Sequence, residues 1–255
     1  MATPNVIETH EIAKTYGQFG ALHGVSLSVP TGSVFALLGA SGAGKTTAIK
    51  ILLNLAAATR GTARVLDVDS REMGPAVLAQ IGYVSENQAM PARLRVGEFF
   101  DYLRSCYGSW DRTLEDRLRD QLRLPPKRRI GELSHGMRLK MALACALPYR
   151  PRLLILDEPL SGLDALARDE IIDGFLLDAG RMSVLISSHE LDEVERFATH
   201  VAFLHEGRLL FQGSVTALAE HARPLLKPVG AAPAESRTSL RDIFVAMVRA
   251  ARSAT

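Results

Sequence analysis

The sequence predicts an α/β protein in which a mainly parallel sheet carries its functional groups on loops leaving the carboxyl ends of the strands. Three observations lead there. A short apolar run, Val34 to Leu38, enters a loop containing Gly39, Gly42 and Gly44 and leaves it on a helical pattern with Ile49, Leu52 and Leu53 on one side. A second apolar run, Leu153 to Leu156, ends on the adjacent carboxylates Asp157 and Glu158. A third, Ser183 to Ile186, ends on Ser187, Ser188 and His189. Short continuous apolar runs are the mark of strands buried on both faces, and in open parallel sheets ligands bind beyond the carboxyl ends of such strands. With Glu86 and Gln88 following Val84, four polar clusters at four strand ends are expected to converge on one ligand.

The other elements follow in order. Val6 to Tyr16 and Gly24 to Val29 read as strands, the second placing Val25, Leu27 and Val29 on one face before the turn Pro30-Thr31-Gly32. After the glycine loop and its helix, Arg60-Gly61 reads as a turn and Thr62 to Val68 as one strand. Pro75 to Gln80 suits a helix, and Ile81 to Val84 a strand that ends in the polar loop SENQAMP. From Val96 to Leu122 apolar residues recur at helical spacing (Phe99, Leu103; Leu114, Leu118, Leu122), interrupted at Gly108-Ser109-Trp110 and closed by Pro125-Pro126. This marks a helical insertion over about 92–148. Beyond it come a helix from Ala165 to Ala179 with Gly180 as its stop, the strand from Ser183 to Ile186, and a helix from Glu190 to Phe197. Val201 to Leu204 and Arg208 to Phe211 pair as a hairpin across Glu206-Gly207, with Leu209 and Phe211 expected toward the core. Residues 1–223 thus read as one main domain, 224–237 as a proline- and glycine-containing linker, and 238–255 as a C-terminal helical extension with Ile243, Phe244, Met247 and Val248 apolar.

The glycine loop is the most specific signal. GASGAGKT, Gly39 to Thr46, fits G-x-x-x-x-G-K-[ST], with the strand before and the helix after that the pattern requires. Glycines let backbone N–H groups converge on one anion, and the helix start adds unpaired N–H groups and the positive end of its dipole. Gly39, Ala40, Ser41, Gly42, Ala43 and Gly44 are therefore the candidate phosphate cradle. Lys45 would place its charge beside the terminal phosphates, Thr46 would offer a hydroxyl to Mg²⁺ and Thr47 would donate to phosphate. The competing reading is a glycine-rich turn with a surface lysine, which the strand and helix on either side disfavour. Asp157 suits the Mg²⁺ shell and Glu158 the orientation or deprotonation of an attacking water, against the alternative of a helix N-cap. His189 would contact the γ-phosphate and the water, though a lone histidine after a strand is more often structural.

Composition narrows the class. With 255 residues, 47% hydrophobic and 23% charged, the chain can bury an ample core, and a net charge of +2 gives no reason to expect nucleic acid as a partner. Cys106 and Cys145 stand apart with no metal-ligand spacing and read as reduced thiols of a cytosolic protein. No leader peptide is expected at MATPNVIETH, and no run approaches the roughly 18 apolar residues of a spanning helix. Association with a membrane would go through a partner.

At this point the motifs carry a family resemblance. The chain resembles the ATP-binding subunit of an ABC transporter, in order from Tyr16 to about Gln212. GASGAGKTT is similar to the Walker A motif, LLILDEP to Walker B and SGLD (Ser161 to Asp164) to the D-loop, and His189 falls at the switch-histidine position. The resemblance implies a P-loop NTPase fold with a mainly parallel sheet, an antiparallel β subdomain and a helical signature subdomain. It also implies that Tyr16, otherwise readable as a core residue at a strand end, stacks on adenine. LSHGM, Leu133 to Met137, stands where the family has LSGGQ; Ser134 and Gly136 match while His135 and Met137 depart. By resemblance two subunits pair head to tail and each Ser134 and Gly136 close on the other's ATP; the plainer reading makes Ser134 only a helix N-cap. The position that usually holds the Q-loop glutamine holds Glu86, a further candidate for the metal's surroundings, with Gln88 two residues on as the alternative sensor.

The implied function is hydrolysis of ATP, with Mg²⁺, coupled to transport by a separate polytopic membrane permease. The form of the signature, Glu86 and the closing SLRDIFVAMV together resemble ATPases of exporters for drugs, lipids or peptides. The place implied is the cytoplasmic face of the cell membrane. Two alternatives stand beside it. One is a soluble ABC-type ATPase remodelling nucleic acid or ribosomes, which usually carries coiled coils, zinc sites or two fused ATPase domains. The other is a regulator that binds ATP without turnover, disfavoured by the presence of Glu158 and His189.

Overall fold

A computed structural model describes residues 4–86, 88–172, 182–223 and 239–253. Contacts group the chain into two units, Met1–Glu72 with Ser187–Thr255, and Met73–Ile186.

The first unit is built from both ends of the sequence. Strands β1 (Asn5–Tyr16), β2 (Phe19–Val25), β3 (Ser28–Pro30), β5 (Arg60–Val65) and β6 (Val68–Asp69) form an antiparallel sheet in the order β2-β1-β5-β6, with β3 also paired to β1. β4 (Val34–Leu38) runs parallel to β10 (His200–His205), in register Phe35 with His200 through Leu38 with Phe203. β11 (Arg208–Ser214) pairs antiparallel with β10 across a turn in which Glu206 and Gly207 both take positive φ, 46° and 71°. Two positive φ values suit the two-residue turn whose twist matches the flanking strands. Helix α1 (Lys45–Leu52) follows the glycine loop and buries Ala48, Ile49, Ile51 and Leu52. α7 (Leu191–Val194), α8 (Val215–Ala222) and α9 (Leu240–Ser253) complete the unit.

α9, the expected C-terminal helix, buries Leu240, Ile243 and Met247. Its Phe244 ring lies 5.2 Å from that of Phe203 on β10, and the Glu195 carboxylate accepts the N–H of Leu240 at 3.4 Å.

Several expectations for this unit need correction. The single strand from Gly24 to Val29 is two, β2 and β3, because the buried Thr9 side chain replaces the ladder between them: its Oγ1 donates to Val25 O at 3.0 Å and accepts from Leu27 N at 2.7 Å. The strand from Thr62 to Val68 is likewise two, β5 and β6, folded back at Leu66 and Asp67, whose φ values are 52° and 66°. Arg60-Gly61 is the start of β5 rather than a turn, with Gly61 at φ 82° where the β1 pairing shifts register. Leu209 and Phe211 are half-buried, as β11 is an edge strand, with the Phe211 ring 5.2 Å from His221 of α8. The helix expected from Glu190 to Phe197 is only the single turn α7. α8, capped by Ser214 Oγ accepting from Ala217 N at 3.1 Å, was not foreseen.

In the second unit, α2 (Pro75–Leu78) leads to β7 (Ile81–Ser85), which runs parallel to β8 (Leu153–Asp157), every residue of which is buried. β9 (Ser183–Ser188) lies beside β8 and ends in residues of the first unit. Between β7 and β8 lie α3 (Val96–Cys106), α4 (Arg112–Gln121) and α5 (His135–Ala146), the first two within the stretch from Val96 to Leu122 whose periodicity predicts helices. Asp111 caps α4, its Oδ1 accepting from Leu114 N at 2.8 Å and its Oδ2 from Arg150; the Leu114 N–H and then the Arg150 guanidinium hold its carboxyl below the usual range. Glu115, 2% exposed, gathers Arg104 at 2.9 Å, Arg119 at 3.1 Å and the Trp110 indole N–H at 2.8 Å, joining α3 to α4. Tyr149 stacks on Tyr107 at 4.1 Å and donates to Ile81 O at 3.1 Å, and its burial pushes the phenol pKa up. α6 (Ala165–Ile171) begins where expected; the rest of that predicted helix, with Gly180, and the linker at 224–237 lie outside the described residues.

Candidate functional site

The phosphate loop is seated by its neighbours as much as by its own sequence. β4 delivers Gly39, whose N–H donates to Ser188 O at 3.3 Å, and a Cβ there would stand 2.2 Å from Leu204 O of β10. Gly44, the residue before α1, takes φ 105°, and a Cβ on it would meet Ala21 O of β2 at 2.7 Å. Glycine is therefore required at both ends of the loop by closely approaching backbone, and at Gly44 by the left-handed φ as well. The β10 to β11 turn braces the loop further, Gly207 N–H donating to Ala43 O at 3.0 Å. Ala40, Ser41, Gly42 and Thr46 are exposed around this rigid seat, and Thr47 is half-buried. Lys45 is 5% exposed, and its ammonium donates to Gly39 O at 2.6 Å and Ala40 O at 3.1 Å. The cation is thus held over the mouth of the loop, contrary to the reading of a surface lysine.

Ser187 and Ser188 are buried at the end of β9, and Ser188 Oγ accepts the Glu190 N–H at 2.9 Å, a side-chain turn that sends His189 outward. His189 is exposed, its Nε2 3.7 Å from Glu190 Oε1. Tyr16, at the end of β1, is 47% exposed, with the Lys14 ammonium 4.8 Å from its ring centroid, so it is not a core residue. The ammonium lies over one face of a ring that is otherwise exposed, and an exposed aromatic ring is suited to stacking.

The remaining candidates belong to the second unit. Asp157, 5% exposed, ends β8, and the next residue, Glu158, turns the chain with φ 52°. The Glu86 N–H donates to Asp157 O at 3.0 Å, extending the β7 to β8 ladder by one bond. The Glu86 carboxylate accepts from Ser161 Oγ at 2.8 Å, and Gln88 is exposed. Ser134 caps α5, its Oγ accepting from Met137 N at 3.3 Å, and the half-buried Gly136 sits in the first turn. A cleft of about 340 Å³ lies beside it, lined by Ser134, Gly136, Lys140, Gly162 and Asp164 among others. His135 reaches from the same turn to Ser161, its Nε2 3.2 Å from the carbonyl oxygen.

The phosphate loop thus meets the end of β9 in one unit, and Glu86, Asp157, the D-loop-like segment and the signature-like turn meet in the other. Comparison with known proteins places this arrangement. The family model described as ABC transporter matches residues 22–161, which holds the glycine loop, both strand-end carboxylates and the signature-like turn. The chain belongs to the ABC transporter family. Among curated relatives of this ABC ATPase, the bacitracin transport ATP-binding protein BcrA of Enterococcus faecalis is 32% identical over 222 residues, 86% of this chain and 72% of that protein. The lantibiotic transport ATP-binding protein SrtF of Streptococcus pyogenes is 32% identical over 211 residues, 81% of this chain and 90% of that protein. Among solved structures, one described as the ATP binding subunit of an ABC transporter superposes with a TM-score of 0.79 at 25% identity, over 95% of this chain and 99% of that one. The P-loop NTPase fold and the nature of the chain as an ATP-binding, ATP-hydrolysing subunit follow.

Two features of this ABC ATPase site escaped the sequence. Ser161 sits within the recognised SGLD stretch, but nothing local says that its hydroxyl answers Glu86 and its carbonyl His135. The braces on the phosphate loop, Leu204 O and Gly207 N–H, come from more than 150 residues away in the chain and leave no local signal.

Proposed function

We propose that this ABC ATPase subunit binds ATP with Mg²⁺ and hydrolyses it to drive export of a drug, lipid or peptide through a separate polytopic membrane permease. It works at the cytoplasmic face of the cell membrane as one member of a head-to-tail pair. Residues 1–223 form the ATPase domain with the insertion at about 92–148, and 238–255 an extension joined by the linker. The observation that carries the reading is the buried Lys45 ammonium held over a loop whose end glycines admit no side chain. That cradle fits a triphosphate: Gly39 to Gly44 supply backbone, Lys45 and Thr47 donate, and Tyr16 offers its open face to adenine. Thr46 and Asp157 each bring one oxygen-bearing group, the kind of donor that Mg²⁺ takes up together with phosphate oxygens, with Glu86 on the loop bonded to Asp157. Held there, Mg²⁺ would neutralise charge developing on the transferred phosphoryl group.

Glu158 orients or deprotonates the attacking water, and His189 contacts that water and the γ-phosphate. Ser134 and Gly136 face the ATP of the opposite subunit; capping α5 and serving an anion are compatible roles, since both use the helix start. The peptide-antibiotic transport proteins among the relatives support a drug or peptide cargo.

The test is Glu158→Gln, which keeps shape and nucleotide contacts. Turnover is expected to fall by roughly 10² to 10⁴, ATP binding to survive, and light scattering with MgATP to register a trapped dimer. A variant that stays monomeric and hydrolyses at the wild-type rate overturns both the role of Glu158 and the shared site.

A further inference from the structure

His135 and Glu86 are two of the three places, with Met137, where this chain leaves its family's motif pattern, and both of these side chains end on the same residue. Ser161 Oγ donates to Glu86 Oε1 at 2.8 Å, and Ser161 O lies 3.2 Å from His135 Nε2. A carbonyl oxygen can only accept, so Nε2 carries the proton in this tautomer. Two backbone bonds complete a closed circuit: Glu86 N–H to Asp157 O at 3.0 Å, and Ser161 N–H to Glu158 O at 3.3 Å. The circuit runs Glu86, Asp157, Glu158, Ser161 and back to Glu86, and Glu158 is the member with left-handed backbone, φ 52°. A non-glycine residue holds that conformation only when its surroundings fix it. Glycine at position 135, or a hydrophobic residue at 86, would leave Ser161 without these partners.

We infer that Ser161 is a joint through which Glu86 and His135 position Glu158 for hydrolysis, so that the exit loop of β7, the carboxylate loop after β8 and the first turn of α5 hold one geometry. Glu86 and His135 are positioning residues: they act on Glu158 through Ser161 rather than on the nucleotide. His135 does within this chain what a glycine at that position has no atoms to do, tying the signature turn to the segment that follows the hydrolytic carboxylate. The inference rests on the reading of Glu158 given above.

A double-mutant cycle on the full chain tests it, with steady-state ATPase and ATP titration as the two readouts. Ser161→Ala and Glu86→Ala each remove the same charge-assisted hydrogen bond, so each is expected to lower kcat by about tenfold. KM and ATP affinity should change by less than about twofold, since the phosphate loop is untouched; retained ATP affinity also shows that the variants fold. The double variant should be no slower than the worse single one, because residues sharing one interaction are not additive. Glu86→Gln, whose amide oxygen still accepts from the serine, should recover most of the kcat lost in Glu86→Ala. His135→Gln, which can still donate, should retain more activity than His135→Phe. Multiplicative losses in the double variant, or losses that appear in KM instead of kcat, or wild-type turnover in Ser161→Ala, each overturn the joint. Glu158→Gln, run alongside, keeps the failures apart: full turnover there removes the reading of Glu158 and the inference with it, whereas loss of turnover there with an additive cycle removes the inference alone.

Discussion

Lys45 illustrates how a single residue is prepared for the nucleotide proposed above. Its ammonium is buried and held by Gly39 O and Ala40 O, so the charge is already aimed at the loop and little freedom is left to lose on binding. Lys45→Ala should therefore weaken ATP by about 10²-fold or more, the loss of two charge-assisted contacts, and isothermal titration of the purified chain measures it. The spacing of the glycines, Lys45, Asp157 and Glu158 was legible because backbone chemistry near a strand end imposes it locally. What Gly39 is for was not: the atom that excludes a side chain there is Leu204 O, and no local pattern announces it. Between Glu86 and Gln88 spacing alone gave no decision; the hydrogen bond from Ser161 gives Glu86 a structural partner.

Among the elements, the helix pair α3 and α4 was legible because apolar residues recur at helical spacing within each helix. Its most consequential contact lies outside that period. Glu115 is an acidic residue in a helix, ordinary in sequence, yet it is 2% exposed and clamps Arg104, Arg119 and Trp110. Removing the buried carboxylate takes that partner from Arg119 and Trp110, while Arg104 keeps Asp101 at 2.7 Å, so Glu115→Ala should cost about 3 kcal/mol. Urea titration followed by Trp110 fluorescence reads it, as the only tryptophan lies in the cluster. Two of the strands that were misread share one cause: side chains and turns substituting for expected backbone patterns. Thr9 separates β2 from β3 with its hydroxyl, and Leu66-Asp67 makes a two-residue turn without the glycine or asparagine that usually advertises one.

At the scale of the whole molecule, the unit holding the phosphate loop is assembled from residues 1–72 and 187–255, so the chain leaves it and returns. The fold class was nonetheless visible in sequence, since each apolar strand carries its own length and exit signal. Which distant strand lies beside β4 was less so, and that pairing has a consequence for how the protein comes into being. β10 bonds to β4 across a separation of 165 residues, Thr199 Oγ1 accepting from Val34 N at 3.1 Å just ahead of the shared ladder. During synthesis the ribosome releases the glycine loop long before it releases Leu204 and Gly207, the residues that give the loop its shape. Long-range pairing of this kind is slow to form. Nucleotide capture should then be a late event in the birth of the chain. Stalled nascent chains exposed only as far as Thr199 should fail to retain a photo-crosslinking ATP analogue, while those exposed through Ser214 should hold it. Retention by the shorter chains would mean that the loop takes its form without β10. Until that strand emerges, the motif that names the family is an unfinished pocket, and any quality control that monitors ATP occupancy would read whether β10 has joined β4.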